Sequence, residues 1–372
     1  MSSIKLRIAE LRKFYGIGQR ELADAVGVTY QSVSKWETNI CMPDIYLLPV
    51  IADYFKVTVD ELLGLKPIKY LETNTVKTDS LDYWKTKLDY LKRSRSSFWN
   101  MDYFQFLIEK VWNITEAVDI IDYGCGFGYL GSILLPFLPH GSTYTGIDIN
   151  EAFLEEAKNY FNETEFQTEF ILEDLYTYQP KKKYDIAICQ AVLRHFSNPK
   201  EILSKMKNSV KSDGLVICFE VCRELESDGF YIDGIDYDYL CARNGFQKMW
   251  KEELKDFGRD YAIGMRIPFM MNEIGLKNVD VRMNDKVNFV TPISNNYDEC
   301  LQNFQQSNGW NNIINDEEYE SKISFFIGKG LDRGEAEAYV RKQNAITNHL
   351  KANKDNAKFL QFRGFLISYG TK

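Results

Sequence analysis

The sequence predicts an α/β protein, in which a doubly wound sheet with a helical insertion follows a small all-α domain. Two observations support this fold class. Between residues 118 and 220, short apolar strand-like runs alternate with helix-like segments, which is typical of a mostly parallel sheet covered by helices on both faces. Residues 4–64 instead show only short amphipathic helix patterns, separated by glycine, proline and N-capping residues.

The all-α segment contains five predicted helices. They are Ile4–Tyr15, Gln19–Val26, a third after the N-cap residue Thr29, a fourth that opens at Pro43-Asp44 and a fifth capped by Thr58. Within the third helix, Val33 and Trp36 are three residues apart and are expected to point inward. This leaves Gln31, Ser32 and Lys35 together on the outer face.

Two short helices joined by a tight glycine turn, the second polar on its outer face, describe a helix-turn-helix. The stretch GQRELADAVGVTYQSVSKWETNICMPDIYLLPVIADYFKVTVDELLG resembles the Xre/Cro repressor family almost end to end. The resemblance implies structural roles for Trp36 and Glu37. It also implies DNA contacts, with Gln19 meeting a phosphate and the major groove read by Tyr30, Gln31, Ser32 and Lys35.

The charge of this module limits what one copy can do. Residues 1–66 hold eight basic and eight acidic side chains, so the release of counterions from DNA can supply only a few phosphate contacts. We therefore expect a homodimer that reads two half-sites of operator DNA. The alternative is a helical module kept for dimerisation or docking.

The composition of the whole chain narrows the classes of protein further. Its 372 residues carry a net charge of −8, which argues against attraction of nucleic acid to the whole surface. No apolar run reaches the roughly 18–20 residues of a membrane span and the N-terminus has no signal-peptide pattern, so we expect a cytoplasmic protein without membrane contact. Seven scattered cysteines without C-x-x-C, and three histidines, predict reduced thiols and no metal site.

The predicted domain boundaries follow from changes in pattern along the chain. Residues 1–66 form the helical module, and residues 67–80 are a polar linker without helical periodicity. Residues 81–290 and 357–372 form the sheet domain, interrupted by a helical insertion at 291–356. The insertion separates two predicted strands, Leu276–Asn284 and Phe359–Gly370.

The sheet domain begins with five strands and the helices between them. The predicted strands are Val118–Asp122, Thr143–Asp148, Thr168–Leu172, Tyr184–Gln190 and Gly214–Glu220. The predicted helices are Phe127–Leu138, Asn150–Phe161 and Pro199–Val210. In such a sheet, ligands bind at the carboxyl ends of the strands.

The stretch VDIIDYGCGFGYLG, at the end of the first strand, fits two ligand templates. Residues 126–131 match the dinucleotide pattern G-x-G-x-x-G. Residues 122–128 match the acid-x-G-x-G-x-G loop that holds S-adenosylmethionine. Electrostatics favour the second template, because Asp122 would repel a diphosphate but attract the ammonium and sulfonium groups of S-adenosylmethionine.

Further acids stand at the ends of the next strands. Asp148 is placed to accept from ribose hydroxyls, and Asp174 from the adenine amino group, with Leu175 offering a backbone amide. The segments IIDYGCGFGYLG, YTGIDIN, ILEDLY and YDIAICQAVLRHFSNPKEIL resemble class I S-adenosylmethionine-dependent methyltransferases over about residues 95–290 and the final strand. The resemblance implies a Rossmann-like sheet, S-adenosylmethionine as cofactor, and a cofactor site of Asp122, Gly124, Cys125, Gly126, Gly128, Asp148, Ile149, Asp174, Leu175 and Gln190.

Two residues are candidates for proton transfer. His195 follows the fourth strand near the expected transfer point, where it can accept a proton or only shape the site. Glu220 ends the fifth strand and is either a second candidate base or a hydrogen-bonded loop acid. Candidate substrate contacts are aromatic. By resemblance, Trp99 and Tyr103, beside Asn100, lie over the cofactor. Tyr231, Tyr237 and Tyr239 either line the wall of the acceptor site or belong to the buried core.

The loop after the fourth strand bears on the methyl acceptor. Amino-methylating DNA enzymes carry [D/N/S]-P-P-[Y/F] there, and cytosine-C5 enzymes carry Pro-Cys, whereas this chain has Cys-Gln-Ala-Val at residues 189–192. The sequence therefore favours a small-molecule acceptor, with the insertion as a cap over its pocket or as a dimerisation element. Two alternatives stay open: a transcription regulator that senses a ligand through the second domain, and a nucleic-acid methyltransferase.

Overall fold

The computed structural model describes residues 6–14, 18–38, 40–55, 57–65, 98–196, 198–223, 229–240, 245–257 and 260–372. The chain divides into two compact units, Met1–Trp84 and Lys85–Lys372. The predicted linker at 67–80 and the glycine turn at residues 16–17 lie outside the described residues.

The N-terminal unit contains the predicted helices. They are α1 (Ile8–Phe14), α2 (Gln19–Val26), α3 (Tyr30–Glu37), α4 (Leu47–Tyr54) and α5 (Val59–Leu62). Thr29 caps α3 and Thr58 caps α5, as the sequence predicts. α4 starts later than predicted, because the Asp44 carboxylate accepts a hydrogen bond from the Tyr46 amide at 2.9 Å and holds a turn there.

One apolar core holds these helices together. Leu11, Leu22, Val33 and Ile51 are fully buried, and Trp36 is 4% exposed. The inward positions predicted within α3 are therefore confirmed, and α3 keeps a polar outer face.

The C-terminal unit is built on a seven-stranded sheet of order β3-β2-β1-β4-β5-β10-β7. Its strands are β1 (Asp119–Tyr123), β2 (Thr143–Asp148), β3 (Gln167–Leu172), β4 (Tyr184–Gln190), β5 (Val210–Val221), β7 (Lys277–Met283) and β10 (Phe365–Thr371). β1 to β5 run parallel, and β10 runs antiparallel to both of its neighbours. The predicted doubly wound α/β fold is confirmed.

Helices cover both faces of this sheet. They are α6 (Met101–Phe106), α7 (Tyr129–Leu134), α8 (Glu151–Asn162), α9 (Pro199–Ser209) and α12 (Ile263–Glu273). One hydrophobic cluster, on the side of α6 and α7, includes Leu130, Tyr144 and Phe219. The cluster on the other face includes Ile121 and Ile267.

The final strand differs from its prediction. The single strand expected over residues 359–370 is two strands in different sheets, β9 (Phe359–Phe362) and β10. The break has a local cause: the Asn284 amide donates to the Phe365 carbonyl, and the Asn284 side-chain oxygen accepts from the Phe365 amide. Pairing with β7 therefore ends there, and the preceding residues pair elsewhere.

The region beyond the carboxyl ends of the strands is a cap, which we define as residues 229–240, 245–257 and 287–362. It contains a small antiparallel sheet of order β6-β9-β8, with β6 (Phe230–Ile232) and β8 (Val287–Val290) on either side of β9. Its helices are α10 (Tyr237–Leu240), α11 (Phe246–Phe257), α13 (Tyr297–Asn308), α14 (Asp316–Gly328) and α15 (Arg333–Ala352). The predicted helical insertion is thus part of a mixed structure drawn from two separate segments.

Candidate cofactor and acceptor site

The glycine loop folds at the carboxyl end of β1, against the neighbouring strand β2. The amides of Gly124 and Cys125 both donate to the Ile147 carbonyl, at 2.8 and 2.9 Å. Gly124, Gly126 and Gly128 have φ of +74°, +57° and +76°, which is the left-handed region that favours glycine. The backbone shape of the loop is therefore by itself a sufficient reason for glycine at these three positions.

The three glycines differ in what surrounds them. A Cβ on Gly124 would lie 2.7 Å from the Val192 side chain, and one on Gly128 would lie 2.8 Å from Phe161. A Cβ on Gly126 would meet only Phe153, at 3.8 Å. Gly124 and Gly128 thus allow the loop to pack on the protein, whereas Gly126 leaves room for a ligand to approach the backbone.

Asp148 ties the loop to the end of β2. Its two carboxylate oxygens accept from the amides of Gly126 and Asn150, each at 2.8 Å. Burial raises the pKa of Asp148, although these backbone hydrogen bonds act to lower it. Each oxygen keeps a further lone pair, so the carboxylate can still accept from the hydroxyls of a ribose. Ile149 follows it and is 46% exposed, open to contact with a flat apolar group.

Asp122 is buried at the end of β1, where the Tyr144 hydroxyl donates to its Oδ2 at 2.6 Å. Burial raises the pKa of Tyr144 well above its usual value, and the charge of Asp122 raises it further. Burial also raises the pKa of the Cys125 thiol, with added contributions from the charges of Asp148 and Asp122. The contributions of the Asp122 and Asp148 charges to these shifts reflect a negative local potential, which suits a cationic ligand and disfavours a diphosphate.

Cys125 contributes to the loop through its backbone. Its side chain is buried against β2, and a Cβ on Gly146 would lie 2.7 Å from its sulfur. Tyr144, the partner of Asp122, is not evident as a site residue from the sequence alone. The signal was available, because both residues lie in paired strands, but their side chains meet only once the sheet has formed.

Several buried N–H donors have no acceptor within the described part of the chain, and three of them belong to segments that the sequence links to the cofactor. These three are Trp99 Nε1, Asn150 Nδ2 and Gln190 Nε2. Gln190 ends β4 opposite Phe219, and the Trp99 ring lies 5.7 Å from the same Phe219 ring. Since buried donors normally have partners, their arrangement fits a ligand rich in acceptors. S-adenosylmethionine offers a carboxylate, ribose oxygens and adenine nitrogens.

The segment after β3 completes this edge of the sheet. The Glu173 amide donates to the Asp148 carbonyl at 3.1 Å, which brings residues 173–175 next to the end of β2. Asp174 is half-buried and accepts from the Tyr176 amide at 2.9 Å, and Leu175 is buried. The predicted cofactor residues are therefore gathered at neighbouring strand ends.

Glu220 is fully buried at the end of β5, and its Oε1 accepts from the amides of Val192 and Leu193 at 2.7 and 2.6 Å. The same loop begins at Ala191, whose φ of +56° is unusual for a residue with a side chain. Glu220 therefore holds the loop after β4, and through Val192 it supports Gly124. This geometry favours the interpretation as a hydrogen-bonded loop acid.

His195 lies on the short 3₁₀ turn Leu193–His195, in the loop that Glu220 holds. It is exposed, and the Arg194 side chain donates to its Nε2 at 3.3 Å. An exposed imidazole at the carboxyl edge of the sheet can exchange protons with solvent. Its role in proton transfer stays a prediction.

The predicted aromatic contacts form two groups. Trp99 packs on Phe104 and Phe365 beside the sheet, and the Tyr103 hydroxyl donates to the Met283 carbonyl at 2.9 Å. Burial raises the pKa of Tyr103. Asn100 is anchored to Asp285 at 2.7 Å.

The second group lies in the cap. Tyr231 and Tyr237 have ring centroids 6.3 Å apart and are 42% and 65% exposed, while Tyr239 is half-buried. Tyr231 belongs to β6 and pairs with Leu360. Its surface is thus available to a bound molecule.

The predicted DNA-reading surface of the N-terminal unit is only partly free. The Gln19 amide nitrogen donates to Glu37 at 2.8 Å, and Glu37 also pairs with Arg12 at 2.6 Å. Hydrogen bonding to Glu37 raises the pKa of Arg12. Ser32 lies 2.9 Å from the Thr29 hydroxyl at the start of α3. The exposed residues on α3 are Tyr30, Gln31 and Lys35.

Comparison with known families agrees with this geometry. Residues 114–258 match the family model of a methyltransferase domain, and residues 8–62 match that of a helix-turn-helix. The chain carries a methyltransferase domain behind a helix-turn-helix domain. Both predicted resemblances are confirmed. The cofactor of the methyltransferase domain is S-adenosylmethionine.

Curated relatives match only part of the chain. A malonyl-[acyl-carrier protein] O-methyltransferase of Acetivibrio thermocellus is 36% identical over 101 residues, which is 27% of this chain and 35% of that protein. A ubiquinone biosynthesis O-methyltransferase of Coxiella burnetii is 24% identical over 127 residues, or 34% of this chain and 53% of that protein. The chain thus spans between a third and about half the length of these relatives.

Solved structures resemble the chain distantly. A phosphoethanolamine N-methyltransferase 2 of Haemonchus contortus in complex with S-adenosyl-L-methionine has a TM-score of 0.39 and 13% identity, covering 73% of this chain and 52% of that one. The [4+2]-cyclase SpnF has a TM-score of 0.40 and 12% identity, covering 80% and 95%. Within the described ranges, no helix has the length and apolar character needed to cross a membrane.

Proposed function

We propose that the protein transfers a methyl group from S-adenosylmethionine to a small-molecule acceptor in the cytoplasm, and that its N-terminal module binds operator DNA as a homodimer. One observation carries the first part. The open backbone at Gly126 lies between the buried Asp122 and the carboxylate of Asp148. This combination accepts a cationic nucleoside and repels a diphosphate.

Each part of the loop has a distinct role in binding the donor. The negative potential of Asp122 attracts the ammonium and sulfonium groups, and Asp148 accepts from the ribose. The side-chain N–H groups of Trp99 and Gln190, which have no acceptor in the described part of the chain, donate hydrogen bonds to the carboxylate of S-adenosylmethionine. S-adenosylmethionine itself supplies an activated methyl group with a good leaving group, so the protein mainly has to align the acceptor and exclude water.

The acceptor is proposed to be a small molecule with an oxygen nucleophile. Both curated relatives are named O-methyltransferases, which supports oxygen as the methylated atom. The cytosine-C5 alternative would require a reactive thiolate after β4. Cys189 instead lies within β4 and is fully buried, and burial raises its pKa well above the usual value, so it is unsuited to attack a base.

Isothermal titration calorimetry tests the donor site directly. S-adenosylmethionine is expected to bind with one site per chain, and NAD is expected to give no heat. Asp122→Asn should weaken S-adenosylmethionine by roughly tenfold or more, because the side chain keeps its shape but loses its charge. Uptake of NAD in preference to S-adenosylmethionine would end the proposal.

A screen with labelled methyl donor tests the acceptor. The protein is incubated with a metabolite extract and, separately, with DNA, and the label is followed by chromatography. Label in a small product supports the proposal, and label in DNA supports a nucleic-acid methyltransferase. Tight donor binding without label in either sample would instead support a ligand-sensing regulator.

The DNA-binding part is tested by selection of bound fragments from genomic DNA, followed by titration of the best site. Gln31→Ala should reduce specific binding by about 1–3 kcal/mol, and Lys35→Ala should lower the salt dependence by about one ion. Sedimentation should show two chains per site. Binding that neither substitution alters would mean that α3 does not read the DNA.

A further inference from the structure

The cap contains two buried N–H donors that are not part of the proposed S-adenosylmethionine site. Gln361, in β9, is 4% exposed, and Trp310, after α13, is 3% exposed. In the described part of the chain, Gln361 Nε2 and Trp310 Nε1 have no hydrogen-bond acceptor. A hydrogen bond left unmade at a buried donor destabilises the folded protein. Two such donors in one region therefore indicate a place for an acceptor group.

Both donors border the ring of Phe230 in β6. The Trp310 ring centroid lies 5.0 Å from that of Phe230. Gln361 is the direct cross-strand partner of Phe230, so their side chains share one face of the small sheet. Phe230 is itself only partly buried, whereas Gln361 and Trp310 beside it are buried.

A buried cation stands over the same ring. Lys342, on α15, is 8% exposed and places its Nζ 5.9 Å from the Phe230 centroid, while donating to the Leu240 carbonyl. The groups around Phe230 are therefore an indole N–H, an amide NH₂ and an ammonium. All three are donors, and an anionic oxygen is the ligand that such a set recognises best.

The position of these donors links them to the methyltransferase site. Two residues after Gln361, the guanidinium of Arg363 lies 5.5 Å from the Phe98 ring centroid, and Phe98 and Trp99 both pack on Phe365. Gln361 precedes Phe365 by four residues, so the two lie within roughly 14 Å even along extended chain. A small molecule can span that distance.

We propose that the methyl acceptor carries a carboxylate, and that Gln361 and Trp310 bind its oxygens beside the charge of Lys342. This inference rests on the proposed function for its identification of the ligand as the acceptor. The carboxylate end is held in the cap, and the nucleophilic end points toward the carboxyl edge of the sheet. The selectivity for the methyl-accepting substrate is then set by Gln361, Trp310 and Lys342.

Benzoate is a minimal probe, and its uncharged amide, benzamide, is the matched control. Both are titrated into ¹⁵N-labelled protein without methyl donor, and the indole N–H signal that Trp310→Phe removes is followed. Benzoate is expected to shift that signal saturably, and benzamide is not. Equal shifts with both probes, or no shift with benzoate up to its solubility limit, would overturn the inference.

Two substitutions locate the site. Lys342→Met should weaken benzoate by roughly tenfold, whereas Lys358→Met removes the same charge from an exposed part of the cap and should leave the affinity unchanged. Gln361→Leu replaces an unpaired donor with an apolar group, so it should weaken benzoate without loss of cap stability. An equal loss with Lys358→Met would show unspecific attraction and contradict the proposal.

The outcome separates this inference from the proposed function. S-adenosylmethionine that binds to a protein indifferent to benzoate would remove the carboxylate site alone. Benzoate that binds to a protein unable to bind S-adenosylmethionine would remove the proposed activity and leave the site in the cap.

Discussion

The glycine loop and the cap lie at the same end of one sheet, yet the chain builds them differently. The loop takes its main residues from one short stretch, residues 122–128, and fixes them by backbone hydrogen bonds to the next strand. The cap assembles two segments, the described residues of 229–257 and residues 287–362, through side-chain packing such as the stacked rings of Phe304 and Phe359 at 4.0 Å. On the proposed function, donor binding would depend on local backbone shape, and acceptor selection on long-range packing.

The largest change in the free energy of unfolding is expected for a substitution in the core of the cap. Phe304 is 2% exposed, and Phe304→Ala should lower the free energy of unfolding by about 3–5 kcal/mol through the cavity it leaves. If the two regions are independent, the dissociation constant for S-adenosylmethionine should not change. Urea unfolding and calorimetry measure the two quantities, with the milder Phe304→Leu as control. A parallel loss of donor affinity would show that cap and loop form one cooperative unit.

The next effect concerns Glu220, which supports the loop from the adjacent strand. Glu220→Ala removes the acceptor of two amides, those of the half-buried Val192 and the buried Leu193, at about 1–3 kcal/mol each. Glu220→Gln keeps an oxygen that can accept from both, so it should retain most of the stability and the donor affinity. If Glu220 were instead a general base, Gln would abolish turnover as fully as Ala.

Two glycine substitutions compare packing with ligand approach inside the loop. Gly124→Ala and Gly126→Ala both incur left-handed strain of roughly 1–2 kcal/mol, but only Gly124→Ala adds a contact at 2.7 Å. Gly124→Ala should therefore lose more stability. Gly126→Ala should lose donor affinity out of proportion to its stability. Equal behaviour of the two variants in both measurements would contradict the open position of Gly126.

The smallest effect is a pH dependence from Asp148. Burial raises the pKa of Asp148 in the folded protein above its ordinary value of 3.8, so folding favours the protonated form. The stability that this group contributes is therefore lost as the pH rises from 3.8 through the raised pKa. A bound cation favours the ionised form instead. Donor affinity should therefore rise with pH across the raised pKa, and Asp148→Asn should flatten the profile in calorimetric titrations. A profile unchanged by the substitution would assign the titration to another group.

The sequence predicted more of the donor site than of the acceptor site. Asp122, the three glycines and Asp148 were found because each stands at the end of a strand that its apolar pattern reveals, and strand ends meet in a parallel sheet. Gln190 and Trp99 were placed by resemblance. Tyr144 and Val192 were missed, because their roles arise from contacts across strands and loops.

The sequence by itself determined the two domains, the alternation of strands and helices along the chain, and the glycine loop, because these depend on short-range patterns of apolar residues, caps and backbone freedom. Only the tertiary structure decided that Glu220 holds the loop after β4. The folded chain also split the last strand between two sheets and gathered Phe230, Trp310, Lys342 and Gln361 in one cap. Those outcomes depend on which distant segments pack together, and such packing is a property of the folded chain rather than of any local pattern.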